Sequence, residues 1–448
     1  MPPPAAAPPP PPPALLDVAA RLPEAAALIL QPLSLEDRKA LRRVHSLLDR
    51  AVRGAAAMLE VRIPAGGGAA PVPARWPAVR KLKVALDGWG EEPAELAWGA
   101  WPRLEALTVA VKGDFFLPAA RAVAAAAPLM PALRTLVLGC SGRLSHNALL
   151  HALGAFSWPG MEEPLWPTLE ELRIMGWCHT RGDGLPLPAM WRGAPRLRRL
   201  SACGFRTSFA PPALAACGWA LEELDLSGGA HVRDADVAAL AASGAFALRR
   251  LDLSGCPLTA AALASLAAAP WPLEELRFGL ADFRGPAAGP ALAALSRHAG
   301  LRHLSFHLCQ VDNDAFIALA SATWPALTYL NGGASTRSFA VGDVQGPEVF
   351  AGFPALQELF MGFRALGEAG ARTLAGRPWP CLTDLTLNCQ LEPDATVAAL
   401  ARGAWPALAR LRLIGWDVRG GAALTLRAAR RWAPALAELE CVSLRGLL

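Results

Sequence analysis

The sequence predicts an α/β solenoid: a parallel inner sheet, outer helices, and a short N-terminal helical module. Three observations predict it. A leucine pattern returns with a period in the twenties. Apolar residues at helical spacing fill the interval between copies. Most copies are introduced by the same Trp-Pro step.

The period is plainest in Leu221–Leu253, LEELDLSGGAHVRDADVAALAASGAFALRRLDL. Leu221-x-x-Leu224-x-Leu226 returns as Leu248-x-x-Leu251-x-Leu253, 27 residues later. Between the copies, Val232, Val237 and Leu240 are spaced for one face of a helix. One unit is therefore a short strand, a turn and a helix. A fixed period of this size points to stacked units, not one closed core.

The phase holds from Val79 onward. The first apolar residue of a unit falls at Val79, Leu104, Leu133, Leu169, Leu197, Leu221, Leu248, Leu273, Leu301, Leu327, Leu356, Leu382, Leu408 and Leu436, fourteen units in all. This pattern resembles the leucine-rich repeat over about 370 residues. Cys256 and Cys309 match the Asn/Cys place of that family's pattern. Packing and weak contact with the turn backbone are expected of them, not catalysis. Leu59-Glu-Val-Arg-Ile63 reads as a further, atypical capping strand.

The Trp-Pro step recurs at Trp76-Pro77, Trp101-Pro102, Trp166-Pro167, Trp271-Pro272, Trp324-Pro325, Trp379-Pro380 and Trp405-Pro406, with variants at Met130-Pro131 and Phe353-Pro354. Proline ends the preceding helix and turns the chain extended. The large residue before it is expected between neighbouring units, as core and not as a ligand box. Two stretches break the rhythm. Gly154–Leu165 lengthens one unit, and Asn331–Gly352 replaces a recognisable helix with a Gly-rich, polar run.

Bulk composition excludes more than it selects. The net charge of +5 on 448 residues is mild and evenly spread, so nucleic acid is not an expected partner. Arginine supplies 39 of the 43 basic residues, which together with abundant Ala, Gly and Pro marks a compositional bias. Ala-rich runs are discounted accordingly. None of the nine cysteines stands in a C-x-x-C pair, and several share one place in the repeat, just after a strand. That argues for packing in a reducing compartment. Residues 1–13 are a proline–alanine tail, expected to be extended, with no signal-peptide pattern. The longest uncharged stretch, Leu253–Leu273, carries three prolines in phase with the repeat, so it reads as repeat and not as a membrane span.

Residues 14–58 differ in pattern from the repeats. Leu28, Ile29 and Leu33, then Leu41, Val44, Leu48 and Val52, are helix-spaced, and Ser34 with Asp37 three residues on is a helix-start signature. The run Leu22-Pro23-Glu24, Ile29, Leu33, Asp37, Leu41-Arg42 and Val44 resembles an F-box. It departs from that family where a tryptophan usually follows the valine, since Leu47 and Leu48 stand there. The resemblance implies that Leu22, Pro23, Ile29, Leu33, Leu41 and Val44 dock the small adaptor subunit of a cullin-based ubiquitin ligase. The alternative is an amphipathic cap covering the first repeat, because solenoid ends need covering.

No catalytic spacing is present: no Gly-x-Ser-x-Gly, no Gly-Lys-Ser/Thr and no His-Glu-x-x-His. His303 and His307 form the one close histidine pair. On a helix that spacing suits zinc. Here it flanks strand positions without a third ligand, so a solvated pair is expected. Neither an enzyme nor a cofactor is predicted.

The exposed side of the strands carries the remaining information. With the leucines turned inward, the residues two and four after the first leucine face outward onto the inner curve. The first of these read Glu171, Arg199, Glu223, Arg250, Glu275, His303, Tyr329, Glu358, Asp384, Arg410 and Glu438. The second read Arg173, Ser201, Asp225, Asp252, Arg277, Ser305, Asn331, Phe360, Thr386, Arg412 and Glu440. Glu171, Arg199, Glu223, Arg250 and Glu275 are expected to form a charge ladder, which either satisfies itself or greets a partner. Asp225 beside Asp252 is unfavourable unless neutralised. Arg277 is expected to neutralise one, leaving the other to anchor a partner's basic group. Tyr329 and Phe360 are the aromatic residues suited to a contact hot spot.

The expectation is a protein-binding chain in three parts: tail 1–13, helical module 14–58 and solenoid 59–448. Its target would lie on the concave sheet and its module on a ligase adaptor. The alternative is a cytosolic or cytoskeletal, for example ciliary, scaffold. A cytoplasmic location is expected, with nucleus or cytoskeleton as alternatives, and no membrane partner.

Overall fold

The computed structural model describes residues 58–63, 78–86, 100–111, 116–144, 166–178, 194–203, 214, 218–229, 232–334, 349–362, 368–388, 393–414 and 429–442. The tail, the F-box-like residues Leu22, Pro23, Ile29, Leu33, Leu41 and Val44, Trp76-Pro77 and the 154–165 run lie outside them. The chain divides into two compact units, Met1–Leu172 with Gly193–Pro195, and Arg173–Arg192 with Arg196–Leu448. Among the described residues, strands of the repeat number fifteen, all parallel where paired and in chain order.

In the first unit, β1 (Met58–Ile63), β2 (Lys81–Leu86), β3 (Ala106–Val111) and β4 (Thr135–Leu144) pair in that order. The atypical strand expected at Leu59–Ile63 is β1. The expected alternation is plain in β3, where Leu107, Val109 and Val111 are buried and the residues between them are not. Burying each such side chain stabilises the fold by roughly 1.5–3 kcal/mol. The helix Phe116–Ala125 follows β3. β5 (Glu171–Cys178) begins in this unit and ends in the second.

In the second unit the order is β6 (Arg199–Cys203), β7 (Glu223–Asp225), β8 (Arg250–Ser254), β9 (Glu275–Gly279), β11 (His303–His307), β13 (Tyr329–Ala334), β14 (Glu358–Gly362), β15 (Asp384–Asn388), β16 (Arg410–Ile414) and β17 (Glu438–Val442). β10 (Asp282–Phe283) and β12 (Gln310–Val311) pair separately, beyond the turns that follow β9 and β11. From β2 on, each strand of the repeat starts two residues after one of the fourteen phase residues, all of which are buried. A shared hydrogen-bond device sets the register. The carbonyl just before one strand accepts two N–H groups at the start of the next: Glu274 and Glu275 on Arg249 at 2.8 and 2.9 Å, Arg302 and His303 on Glu274 at 2.8 and 3.0 Å, Thr328 and Tyr329 on Arg302, both at 2.9 Å.

The helices carry their own start signals. Asp312 caps Asn313–Ser321 by accepting from Ala315 N at 2.9 Å, and its other oxygen accepts from Gly285 N at 2.6 Å in the preceding unit. Thr259 caps Ala260–Ala268, and its hydroxyl donates to Asp234 at 2.6 Å at the start of the helix Asp234–Ala242. Capping thus also fastens neighbours.

The Trp-Pro residues behave as the sequence suggests. Trp101, Trp166, Trp271, Trp324, Trp379 and Trp405 are buried. Trp379 stacks on Trp405 with centroids 6.5 Å apart, and Trp324 on Phe353 at 6.4 Å. The indole N–H groups of Trp324, Trp379 and Trp405 each donate to the carbonyl five residues back, those of Leu319, Leu374 and Leu400, at 2.9, 2.8 and 2.9 Å. The aromatic side chain therefore satisfies a helix-end carbonyl while it fills the core. Below β9 and β11, Phe278, Phe283 and Phe306 form a buried ring cluster.

After each strand of the middle repeats the backbone turns left-handed. Gly255 does so at φ 78°, and a Cβ there would lie 3.1 Å from Gly228 backbone atoms. At the equivalent place after β9 and β11 stand Leu280 (φ 60°) and Leu308 (φ 56°). For an L residue with a side chain this region costs on the order of 1 kcal/mol.

Candidate functional site

The strand face turned away from the buried leucines gathers the sequence-predicted residues of the second unit into two rows. Arg199, Glu223, Arg250, Glu275, His303, Tyr329 and Glu358 are consecutive partners in register. So are Ser201, Asp225, Asp252, Arg277, Ser305, Asn331 and Phe360. Parallel neighbours lie about 4.8 Å apart, so side chains of adjacent strands meet.

The ladder forms in β7–β9. Arg250 pairs with Glu223, and its Nε lies 3.6 Å from Glu275. At the other end, Glu171 is buried in the first unit and Thr135 Oγ1 reaches it at 3.5 Å. A second ladder, on the residue just before each strand, escaped the sequence reading: Arg198–Glu222 and Arg249–Glu274, with Arg80–Glu105 and Arg134–Glu170 in the first unit. Alternating Arg and Glu at that phase position is its signal.

The aspartate pair needs a correction. Asp225 and Asp252 do face each other in register, but Arg277 turns to Glu275 on its own strand, Nε to Oε1 2.5 Å. Among the described residues, neither aspartate has a basic group at ion-pair distance. Their carboxylates instead accept backbone N–H groups two residues on, Ser227 at 2.9 Å and Ser254 at 2.8 Å. Ser201 also donates to Asp225 at 2.8 Å. The Asp-Leu-Ser runs are local turn devices as well as surface charges. Burial pushes Asp252 above the usual aspartate range. Ser254 hydrogen bonds oppose the shift, Asp225 adds to it, and Arg277 offsets part.

His303 is not the solvated residue expected. It is half-buried and stacks on Tyr329, centroids 3.9 Å apart and planes 3° from parallel. Register explains this, since the two residues are direct partners on β11 and β13. Burial pulls the imidazole below its ordinary range, with Glu275 opposing and Arg277 assisting. His307 is exposed at the far end of the strand. Ser305 and Asn331 were expected to point outward but are buried; they are direct partners, and the pair is set between the longer Arg277 and Phe360. Phe360 is half-buried beside Asn331.

The cysteines pack as expected. Cys256 is buried and its Sγ lies 3.4 Å from Leu226 O. Burial pushes the thiols of Cys256 and Cys309 up to about 12. Among the described residues, Cys203, Cys256, Cys309, Cys381 and Cys441 are free thiols. Among the described residues, no group of three or more His, Cys, Asp or Glu side chains is arranged to hold a metal ion. Among the same residues no helix is long and apolar enough to cross a membrane.

Stacked strand–turn–helix units with one leucine phase and a polar outward strand face define the class: a leucine-rich-repeat solenoid. No family model matches the sequence, and no curated protein matches it. Solved structures do match. An internalin, inlF, from Listeria monocytogenes is 15% identical over 89% of this chain and 95% of its own, with a TM-score of 0.47. Rad7, in the structure of the yeast Rad7 and Elc1 complex, is 15% identical over 89% of this chain and 88% of the matched chain, TM-score 0.43. The TLR13–ssRNA13 complex is 17% identical over 83% of this chain and 61% of the matched chain, TM-score 0.39.

Proposed function

We propose that this chain is a protein-binding component, not an enzyme, and that its target lies on the outward face of strands β7–β14. The supporting observation is the His303–Tyr329 stack with Phe360 close by, bordered by Glu223, Asp225, Asp252 and Glu275. Broad, part-exposed rings at the middle of a polar face are the composition of a contact hot spot. We propose further that the F-box-like residues Leu22, Pro23, Ile29, Leu33, Leu41 and Val44 hold the small adaptor of a cullin-based ubiquitin ligase, so that the bound target is a substrate for ubiquitin transfer.

A scaffold without ligase activity is the second reading. It is favoured by β1, the first described strand, which pairs with β2 at the start of the sheet, the place a solenoid cap occupies. Co-purification of the full chain with the adaptor separates the two. The ligase reading expects retention that Leu22→Ala/Pro23→Ala abolishes at unchanged melting temperature. Failure of the intact chain to retain the adaptor, or a variant that melts lower and keeps its partners, decides for the scaffold.

A further inference from the structure

Leu280 and Leu308 stand where the two preceding units carry Gly228 and Gly255. Each directly follows its strand, β9 or β11, as Gly255 follows β8, and all three have left-handed backbones. A Cβ is disfavoured there because it crowds the following carbonyl oxygen. Burial does not offset this, since Leu280 is 65% exposed and Leu308 37%. The turns are neighbours, because Leu280 N donates to His307 O at 3.2 Å, immediately before Leu308. Glycine would relax both turns and remove apolar surface from water. The fold thus displays two strained, exposed leucines side by side.

The charge around them states what fits. Beyond the turns, Asp282 is paired by Arg284, while Asp312 caps a helix and Asp314 is exposed in that helix's first turn. On the outward rows of β7, β8 and β9, the strands on one side of the turns, Glu223, Asp225, Asp252 and Glu275 outnumber Arg250 and Arg277. We propose that Leu280 and Leu308 form an apolar ledge for a partner segment that presents a large apolar side chain with Lys or Arg nearby, the basic group reaching Asp252 or Asp225. The ledge lies three strand residues from the level of Asp252, about 10 Å, so the segment's two anchors are three to four extended residues apart. This inference rests on the protein-binding reading and adds a second contact, at the end of the strands.

A random peptide library selected on the full chain supplies the probe. The expected enrichment is for Leu, Ile or Phe three or four residues from Lys or Arg. Those peptides should bind Leu280→Gly/Leu308→Gly at least about tenfold more weakly, a loss of one hot-spot contact. The same variant should melt at an equal or higher temperature. Equal binding to the glycine variant, a consensus without a basic residue, or a lower melting temperature overturns the inference. Self-association of the parent chain that the glycine variant abolishes also overturns it, since the occupant is then a second copy. Peptides released by Tyr329→Ala but not by the glycine variant overturn the ledge and leave the face reading standing. No enrichment at all overturns both.

Discussion

His303 lies flat on Tyr329, with ring centroids 3.9 Å apart. Neighbouring strands place both rings on the outward face, and the stack half-buries the imidazole. Burial holds the folded His303 below its ordinary value of 6.5. Between the folded and unfolded values the unfolded chain binds more protons. The resulting stabilisation is therefore complete above pH 6.5 and is lost as pH falls below it. His303→Phe keeps a ring on Tyr329 and removes the titration. Thermal melts of the two proteins should run parallel above that pH and separate below it, the wild type falling faster. Parallel behaviour throughout would show that the imidazole titrates as in the unfolded chain.

Asp252 gives the opposite slope. Burial raises it above 3.8, so the folded state holds its proton longer than the unfolded chain does. Stability associated with Asp252 is then greatest at acid pH and declines as pH rises from about 4 through the folded value. Asn offers the same oxygen to Ser254 N without the charge, and relieves the facing Asp225. Asp252→Asn should match wild type at low pH and be more stable at neutral pH, as read by urea unfolding. A less stable variant at neutral pH would mean that the carboxylate's charge is needed by the Ser254 turn.

Two buried tryptophans in the same phase should respond differently to Trp→Phe. The Trp405 indole donates to Leu400 O at 2.9 Å. The equivalent carbonyl for Trp271 is that of Leu266, and His298 Nε2 already lies 2.9 Å from it. The Trp271 N–H meets no acceptor among the described residues. Both substitutions lose ring volume, but only Trp405→Phe breaks a hydrogen bond and strands a carbonyl. Trp405→Phe should cost about 1 kcal/mol more than Trp271→Phe. Chemical denaturation of the two variants measures the difference, and equal losses would remove the capping role from the indole.

The repeat is legible in the sequence because its signal is redundant. Most units state their phase through a first leucine, two further apolar positions and a large residue before proline, so a fault in one is outvoted by the others. The outward rows follow by alternation alone, which is why Glu223, Arg250 and Glu275 are partners as expected. Side-chain direction within a row is a different matter. Arg277 has both Asp252 and Glu275 within reach, and only three-dimensional geometry chooses. Ser305 and Asn331 read as exposed because alternation counts faces and not the height of neighbouring side chains. Leu280 and Leu308 escape for a related reason. Leucine in a leucine-rich period raises no alarm until its backbone is seen in the conformation that Gly255 adopts. The Asp-Leu-Ser runs are visible in the sequence, but the same residues carry charge and turn chemistry, and spacing alone does not separate the two.

Arg250 is the hinge of the outward charges. Its guanidinium serves Glu223 on one side and Glu275 on the other, while 53% of the side chain stays exposed. Exposed pairs contribute roughly 0–1 kcal/mol each, so Arg250→Ala should cost about 1 kcal/mol and not unfold the chain. What remains is a cluster of Glu223, Asp225, Asp252 and Glu275 on three adjacent strands, flanked in the rows by Arg199 and Arg277. Repulsion within such a cluster acts over a Debye length of about 10 Å at 0.1 M salt and shrinks as salt is added. Urea unfolding at low and high ionic strength should therefore show the variant recovering stability with salt while wild type changes little. Affinity should move the other way, because a more acidic face draws a basic segment more strongly. A variant that loses stability and basic-peptide binding together would assign Arg250 to the contact itself and not to the balance of charge around it.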